Sequence, residues 1–143
     1  KRYRTTDIGS TYTAESVQQL QTLDSIMEEQ FALCDAKQVM ILKVAGGNGL
    51  RHLKTHAFQA VYGVDINSAY LQECQRCYPE WKEVFIPIEA DLLDERIQLP
   101  HCDLLIANLL MEYIGYTRFQ TLAKQSSAVW IRVVIQQDFA EDR

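Results

Sequence analysis

The sequence predicts a three-layer α/β sandwich on a mostly parallel sheet. Three observations lead there. Short runs rich in Val, Ile and Leu alternate with stretches of helical period. Those runs are nearly continuous in apolar residues, as strands covered on both faces are. The densest glycine cluster, Gly46, Gly47 and Gly49, comes directly after the first such run.

Val17, Leu20, Leu23, Met27 and Phe31 recur at spacings of three and four, with Thr13 able to cap and Glu15 in the first turn, so a helix is predicted over 14–34. "QVMILKV" reads as a buried strand interrupted only by Lys43, and "LRHLKTHAF" as the helix after it. "QAVYGVDIN" is a second buried strand, after which Asn67 or Ser68 can cap a helix to Cys77, stopped by Pro79. "EVFIPIEADLL" is a third strand, which Pro87 consigns to a sheet edge because proline cannot donate to the ladder. "CDLLIANLLMEYI" is a fourth strand running into a loop, "GYTRFQTLAKQ" a helix, and "AVWIRVVIQQ" a fifth strand. Right-handed crossovers through this order give a Rossmann-like α/β sheet. In such sheets ligands sit beyond the carboxyl ends of the strands, where the winding reverses, and "VAGGNG" falls at that end.

At 143 residues and 48% hydrophobic, the chain holds one core, and 1–143 is read as a single domain: an N-terminal segment and helix over 1–35, a candidate lid, and a core over 36–143. The formal charge of −5 and the scattered Lys and Arg, "KRYR" apart, disfavour nucleic acid as a partner. No apolar run approaches the roughly 20 residues of a membrane span. Four cysteines in a chain with a large core and no signal peptide predict free thiols in a reducing compartment, the cytoplasm. His52 with His56, and Cys74 with Cys77, lack further ligands at matching spacing, so no metal is predicted. Tyr62, Tyr70, Phe85 and Trp130 are assigned to core packing. The sequence starts without methionine and stops soon after a strand, from which a missing end is expected.

Three ligands commonly use a glycine turn after a buried strand. A P-loop needs Lys and Ser or Thr after its last glycine, and "GGNGLRHL" lacks them. The dinucleotide fingerprint needs a third glycine three places after the second, and counting from Gly46 or Gly47 does not supply it. A nucleotide-cofactor oxidoreductase then survives only through Asp65, which any Rossmann-like protein could use for ribose.

The third ligand carries no phosphate. "ILKVAGGNG" resembles the first motif of the class I S-adenosylmethionine-dependent methyltransferases, with Ala45, Gly47 and Gly49 at the glycine positions. "VYGVDIN" is similar to the second motif, "IEADLLD" to the third, and "CDLLIANLLMEYIG" to the fourth strand and the loop bordering the methyl group. The four occur in the family's order over about residues 38 to 137.

The resemblance implies S-adenosylmethionine as cofactor and methyl transfer to a small-molecule or protein acceptor. It implies that Gly46, Gly47 and Gly49 let the backbone approach the cofactor's amino-acid half. Asp65 would accept from both ribose hydroxyls, Ile66 would pack on adenine, Asp91 and the Leu92 amide would meet the adenine edge, and Asn108 would approach the sulfonium. No catalytic residue is assigned; Glu112 and Tyr113 could orient a substrate or begin a solvent-facing helix.

Departures matter too. Lys43 stands where the family carries an acid that holds the cofactor's ammonium; it would repel that ammonium and the sulfonium, or pair with the carboxylate, or snorkel along the strand. The family's sixth and seventh strands have no counterpart. The fifth strand is then expected to present an exposed edge that either a segment of a longer parent chain or a homodimer would cover. The alternative function is a methyltransferase-like interaction domain without activity.

Overall fold

The computed structural model describes residues 2–4, 25, 26, 28–30, 35–43 and 58–137. Six strands form one sheet: β1 (Arg2–Arg4), β2 (Gln38–Leu42), β3 (Ala60–Asp65), β4 (Phe85–Glu89), β5 (Leu104–Asn108) and β6 (Trp130–Gln137). Among the described residues, the helices with defined bounds are α1 (Ser68–Cys77), α2 (Met111–Ile114) and α3 (Tyr116–Ser126). The sheet order is β1-β6-β5-β2-β3-β4. The strands from β2 to β6 are parallel to their neighbours, and β1 is antiparallel to β6. Of the helix predicted over 14–34, the described residues 25, 26 and 28–30 are helical. The glycine turn and most of the helix expected at 50–58 lie outside the described residues.

The apolar runs are buried on both faces because alternate side chains go to opposite layers. Val39 and Ile41 of β2, with Leu104 and Ile106 of β5, pack with Leu71 and Cys74 of α1. Met40 and Leu42, with Leu105 and Ala107, pack on the other face with Ile114 of α2 and Phe119 and Leu122 of α3. A strand exposed on one side would have needed polar residues at every second place, and these have none.

Local chemistry sets the boundaries. The Asn67 side chain accepts from the Ala69 and Tyr70 amides and starts α1, and Pro79 begins the short 3-10 turn after it. Pro87 lies within β4, the edge strand, as its missing donor requires. Gly63 is set by packing: a Cβ there would lie 2.4 Å from Cζ of the Phe85 ring, which covers it from the neighbouring strand. At the opposite end of the sheet, Asp103 Oδ2 accepts from the amides of Lys37 and Gln38, both at 3.0 Å, which ties the entry of β2 to that of β5.

Two expectations are corrected. Lys43 is not a strand residue: β2 ends at Leu42, and Lys43 turns out of it with φ of +60°. The outer edge of β6 is not bare along its length, because β1 pairs with its last residues in the register Arg2↔Gln137, Tyr3↔Gln136 and Arg4↔Ile135. Arg2–Arg4, within the basic opening "KRYR", thus supply an edge strand. Backbone pairing decides this, and three alternating residues carry no sequence signal for it.

Candidate functional site

The chain runs from β2 outward through β3 to β4 and then returns to place β5 on the other side of β2. The winding therefore reverses between β2 and β5, and a ligand crevice is expected beyond their carboxyl ends. A cavity of about 250 Å³ lies there, lined by residues at or just past the strand ends: Lys43 after β2, Asp65 and Ile66 at the end of β3, Asp91 and Leu92 after β4, and Leu110 and Tyr113 after β5. A larger cavity of about 350 Å³, beside Tyr78, Trp81 and Phe85, has no carboxylate among the described residues that line it and adjoins the outer strand β4. The chemistry favours the first.

Asp65 is 5% exposed, and its Oδ1 accepts the Asn67 amide at 2.9 Å. That bond orients the carboxylate as the chain leaves β3 and leads into the Asn67 cap of α1. Asp91 is held in the same manner, its Oδ1 accepting the Leu93 amide at 3.0 Å. Both acids are short side chains clamped by their own turn, a fixed rather than a swinging pair of acceptors. Between them stand apolar walls: Ile66 and Tyr70 are exposed beside buried Leu92 and Leu110. Exposed apolar side chains around a cavity with a few polar groups mark a ligand site.

The loop after β4 is braced from across the site. Arg118 of α3 donates through Nε to the Leu92 carbonyl at 2.6 Å and through Nη2 to the Asp94 carbonyl at 2.9 Å. The Arg96 side chain hydrogen-bonds Asp94 and holds its carboxyl down at about 2. Opposite, Lys43 Nζ lies 5.5 Å from the centre of the Tyr113 ring. Lys43 and Leu109, with φ of +60° and +58°, come directly after adjacent strands at this same edge. Left-handed backbone outside glycine costs energy and collects where a site dictates the path.

Four of the nine residues assigned from sequence, Asp65, Ile66, Asp91 and Leu92, line one cavity. Ala45, Gly46, Gly47 and Gly49 lie outside the described residues. Asn108 is not among the lining residues; its carboxamide is engaged by Gln30, which donates from Nε2 to Oδ1 at 3.0 Å and accepts from Nδ2 at 3.2 Å. Gln30 is 4% exposed, so this reciprocal pair joins the N-terminal helical residues to the end of β5 in a desolvated place. Tyr70, assigned to the core, is 48% exposed and lines the cavity, because α1 turns that position outward. Asn67, Gln30 and Arg118 were missed. Asn67 was legible as a cap only, and Gln30 and Arg118 act through contacts that span 78 and, for the Leu92 carbonyl, 26 residues. Among the described residues no group of acids, histidines and cysteines could hold a metal, and no helix is long and apolar enough to cross a membrane.

The sequence matches no family model and no curated relative. Solved structures do resemble the chain. The methyltransferase domain of bacterial CtHen1 superposes with a TM-score of 0.59 at 19% identity, covering 81% of this chain and 63% of that one. The N-methyltransferase NodS from Bradyrhizobium japonicum WM9, solved with S-adenosyl-L-homocysteine, superposes at 0.61 and 12% identity, covering 73% and 55%. The [4+2]-cyclase SpnF superposes at 0.61 and 15% identity, covering 82% and 44%. The chain thus spans between 44% and 63% of the length of these proteins. The parallel sheet, its reversal between β2 and β5, and these likenesses give the chain the Rossmann-like fold of the class I S-adenosylmethionine-dependent methyltransferases.

Proposed function

We propose that the cavity at the carboxyl edge of the sheet binds S-adenosylmethionine, and that the chain directs transfer of its methyl group to a small-molecule or protein acceptor. One observation carries this reading: Asp65, Ile66, Asp91 and Leu92 meet in a single cavity beside the strand reversal. The donor set fits the cofactor. Two clamped carboxylates suit a ribose diol and an exocyclic amine, and the apolar walls suit a flat heterocycle. In the same reading Ala45, Gly46, Gly47 and Gly49 take the amino-acid half. Asn108, its carboxamide paired with Gln30, ties the end of β5 to the N-terminal helical residues.

When bound, the cofactor supplies a methyl group on a positive sulfur, already activated for in-line displacement. The protein then needs mainly to position and to exclude water. Asp65 and Asp91 would hold the nucleoside, Ile66 and Leu92 would sandwich its ring, and Tyr113, 58% exposed at the cavity mouth, would face the acceptor. No general base is required, and none is assigned. The free thiols of Cys74, Cys77 and Cys102 support a reducing compartment, and we propose the cytoplasm.

Isothermal titration calorimetry with S-adenosylhomocysteine, and NAD as control, tests this reading. Binding of the former alone is expected; binding of NAD alone, or of neither, overturns it. A second reading, a methyltransferase-like interaction domain without transfer, is favoured by the positive charge that Lys43 brings to the cavity. Binding of neither ligand would put that reading first.

A further inference from the structure

The charges lining the cavity are unevenly distributed. Asp91 comes after β4, Asp65 ends β3, Lys43 comes after β2 and Tyr113 after β5, and in the sheet these strands stand in the order β4-β3-β2-β5. Neighbouring strands are spaced by about 4.8 Å. A ligand lying across the edge would therefore meet two carboxylates first, and a cation beside an aromatic ring next. Lys43 is exposed, with its ammonium 5.5 Å from the Tyr113 ring centre, and among the described residues no carboxylate forms an ion pair with it. Its left-handed backbone carries it out of the strand and into the cavity lining.

From this order we infer that Lys43 is a specificity-determining residue: the site selects an adenosine-type ligand whose 5′ tail bears an anion, carboxylate or phosphate, and disfavours a tail that is only cationic. The inference rests on the adenosine reading of Asp65 and Asp91 and adds the charge of the tail. An ammonium on the tail would approach Lys43 against Coulomb repulsion, whereas an anion would displace water from it and gain a charge-assisted hydrogen bond. The Tyr113 ring face attracts cations and so holds the Lys43 ammonium rather than an anionic tail, which leaves recognition of the anion to the lysine.

Four ligands separate the possibilities by calorimetry: adenosine, adenosine 5′-monophosphate, S-adenosylhomocysteine and its decarboxylated analogue. The wild-type protein is expected to bind S-adenosylhomocysteine about tenfold or more tighter than the decarboxylated analogue, the scale of one charged hydrogen bond. Lys43→Gln should level the two, and Lys43→Glu should reverse their order. Both variants change an exposed residue, and their thermal unfolding is recorded beside the wild type. The phosphate and carboxylate arms, each compared with adenosine, tell which anion the site prefers. If adenosine binds and the ranking is the same whatever residue stands at 43, the tail inference falls and the adenosine reading stands. If adenosine and its derivatives all fail to bind, both fall.

Discussion

Replacing Asp65 by Asn separates its two duties. The Asn amide oxygen can still accept the Asn67 N–H that Asp65 Oδ1 takes at 2.9 Å, so the turn into α1 should persist. The charge and the second acceptor are lost. Affinity for S-adenosylhomocysteine should drop by about 1.5 to 3 kcal/mol, the range for hydrogen bonds to a charged group, with a small change in melting temperature. Calorimetry on Asp65→Asn reads this directly, and unchanged affinity would remove Asp65 from the site. Gly63→Ala should instead act on stability alone. The added Cβ would stand 2.4 Å from the buried Phe85 ring, an overpacked contact costing about 1 to 3 kcal/mol in a denaturant titration. The thiols offer a third contrast. Burial pushes Cys74 and Cys102 up to about 11, whereas Cys77 is exposed, raised chiefly by its hydrogen bond to Glu73. Alkylation at pH 8 followed by peptide mass mapping should find Cys77 modified well before the other two.

Elements are held to one another by a few groups whose titration is predictable in sign. Asp103 takes the amides of Gln38 and Lys37, and those bonds hold its carboxyl below the usual range. A depressed carboxylate stabilises the fold above its unfolded value of about 3.9 and loses that contribution as pH falls through its folded value. Acid unfolding of Asp103→Asn should lack this part of the pH dependence, and urea titrations between pH 3 and 7 in both proteins would measure it. Elements of this kind also mark what was legible. The alternation of Val39, Met40, Ile41 and Leu42 between two layers results from apolar character and a period of two. The cap at Asn67 and the edge position of β4 result from single residues with one dominant physical role. Asp65 and Asp91 were legible because acids at strand ends stand out against apolar runs. The Gln30–Asn108 pair was not, because an amide has no preferred distant partner in a sequence and the bond forms only when the helix docks. Lys43 was placed on a strand because its aliphatic neighbours continue the run, and only the backbone turn at φ +60° moves it into the cavity.

At the scale of the whole molecule, the sheet is closed on one side by β4, with Pro87 in it, and on the other by β1. Proline protects the first edge because an incoming strand would find a donor missing. The second is protected by β1, which covers Ile135, Gln136 and Gln137 of β6. In an antiparallel pair, successive residues point their N–H groups alternately toward and away from the partner. Of Tyr3→Pro and Arg4→Pro, one therefore removes a donor facing β6 and the other a donor facing outward. The first should cost about 1 kcal/mol, the net worth of one ladder bond, and uncover the edge of an apolar strand. That variant should then self-associate with rising concentration in sedimentation velocity, while its neighbour sediments as the wild type does. Equal behaviour of the two variants would mean that β1 does not protect this edge. A difference would show that Arg2–Arg4 shield the end of β6, the strand that pairs with β5 up to Asn108↔Val134.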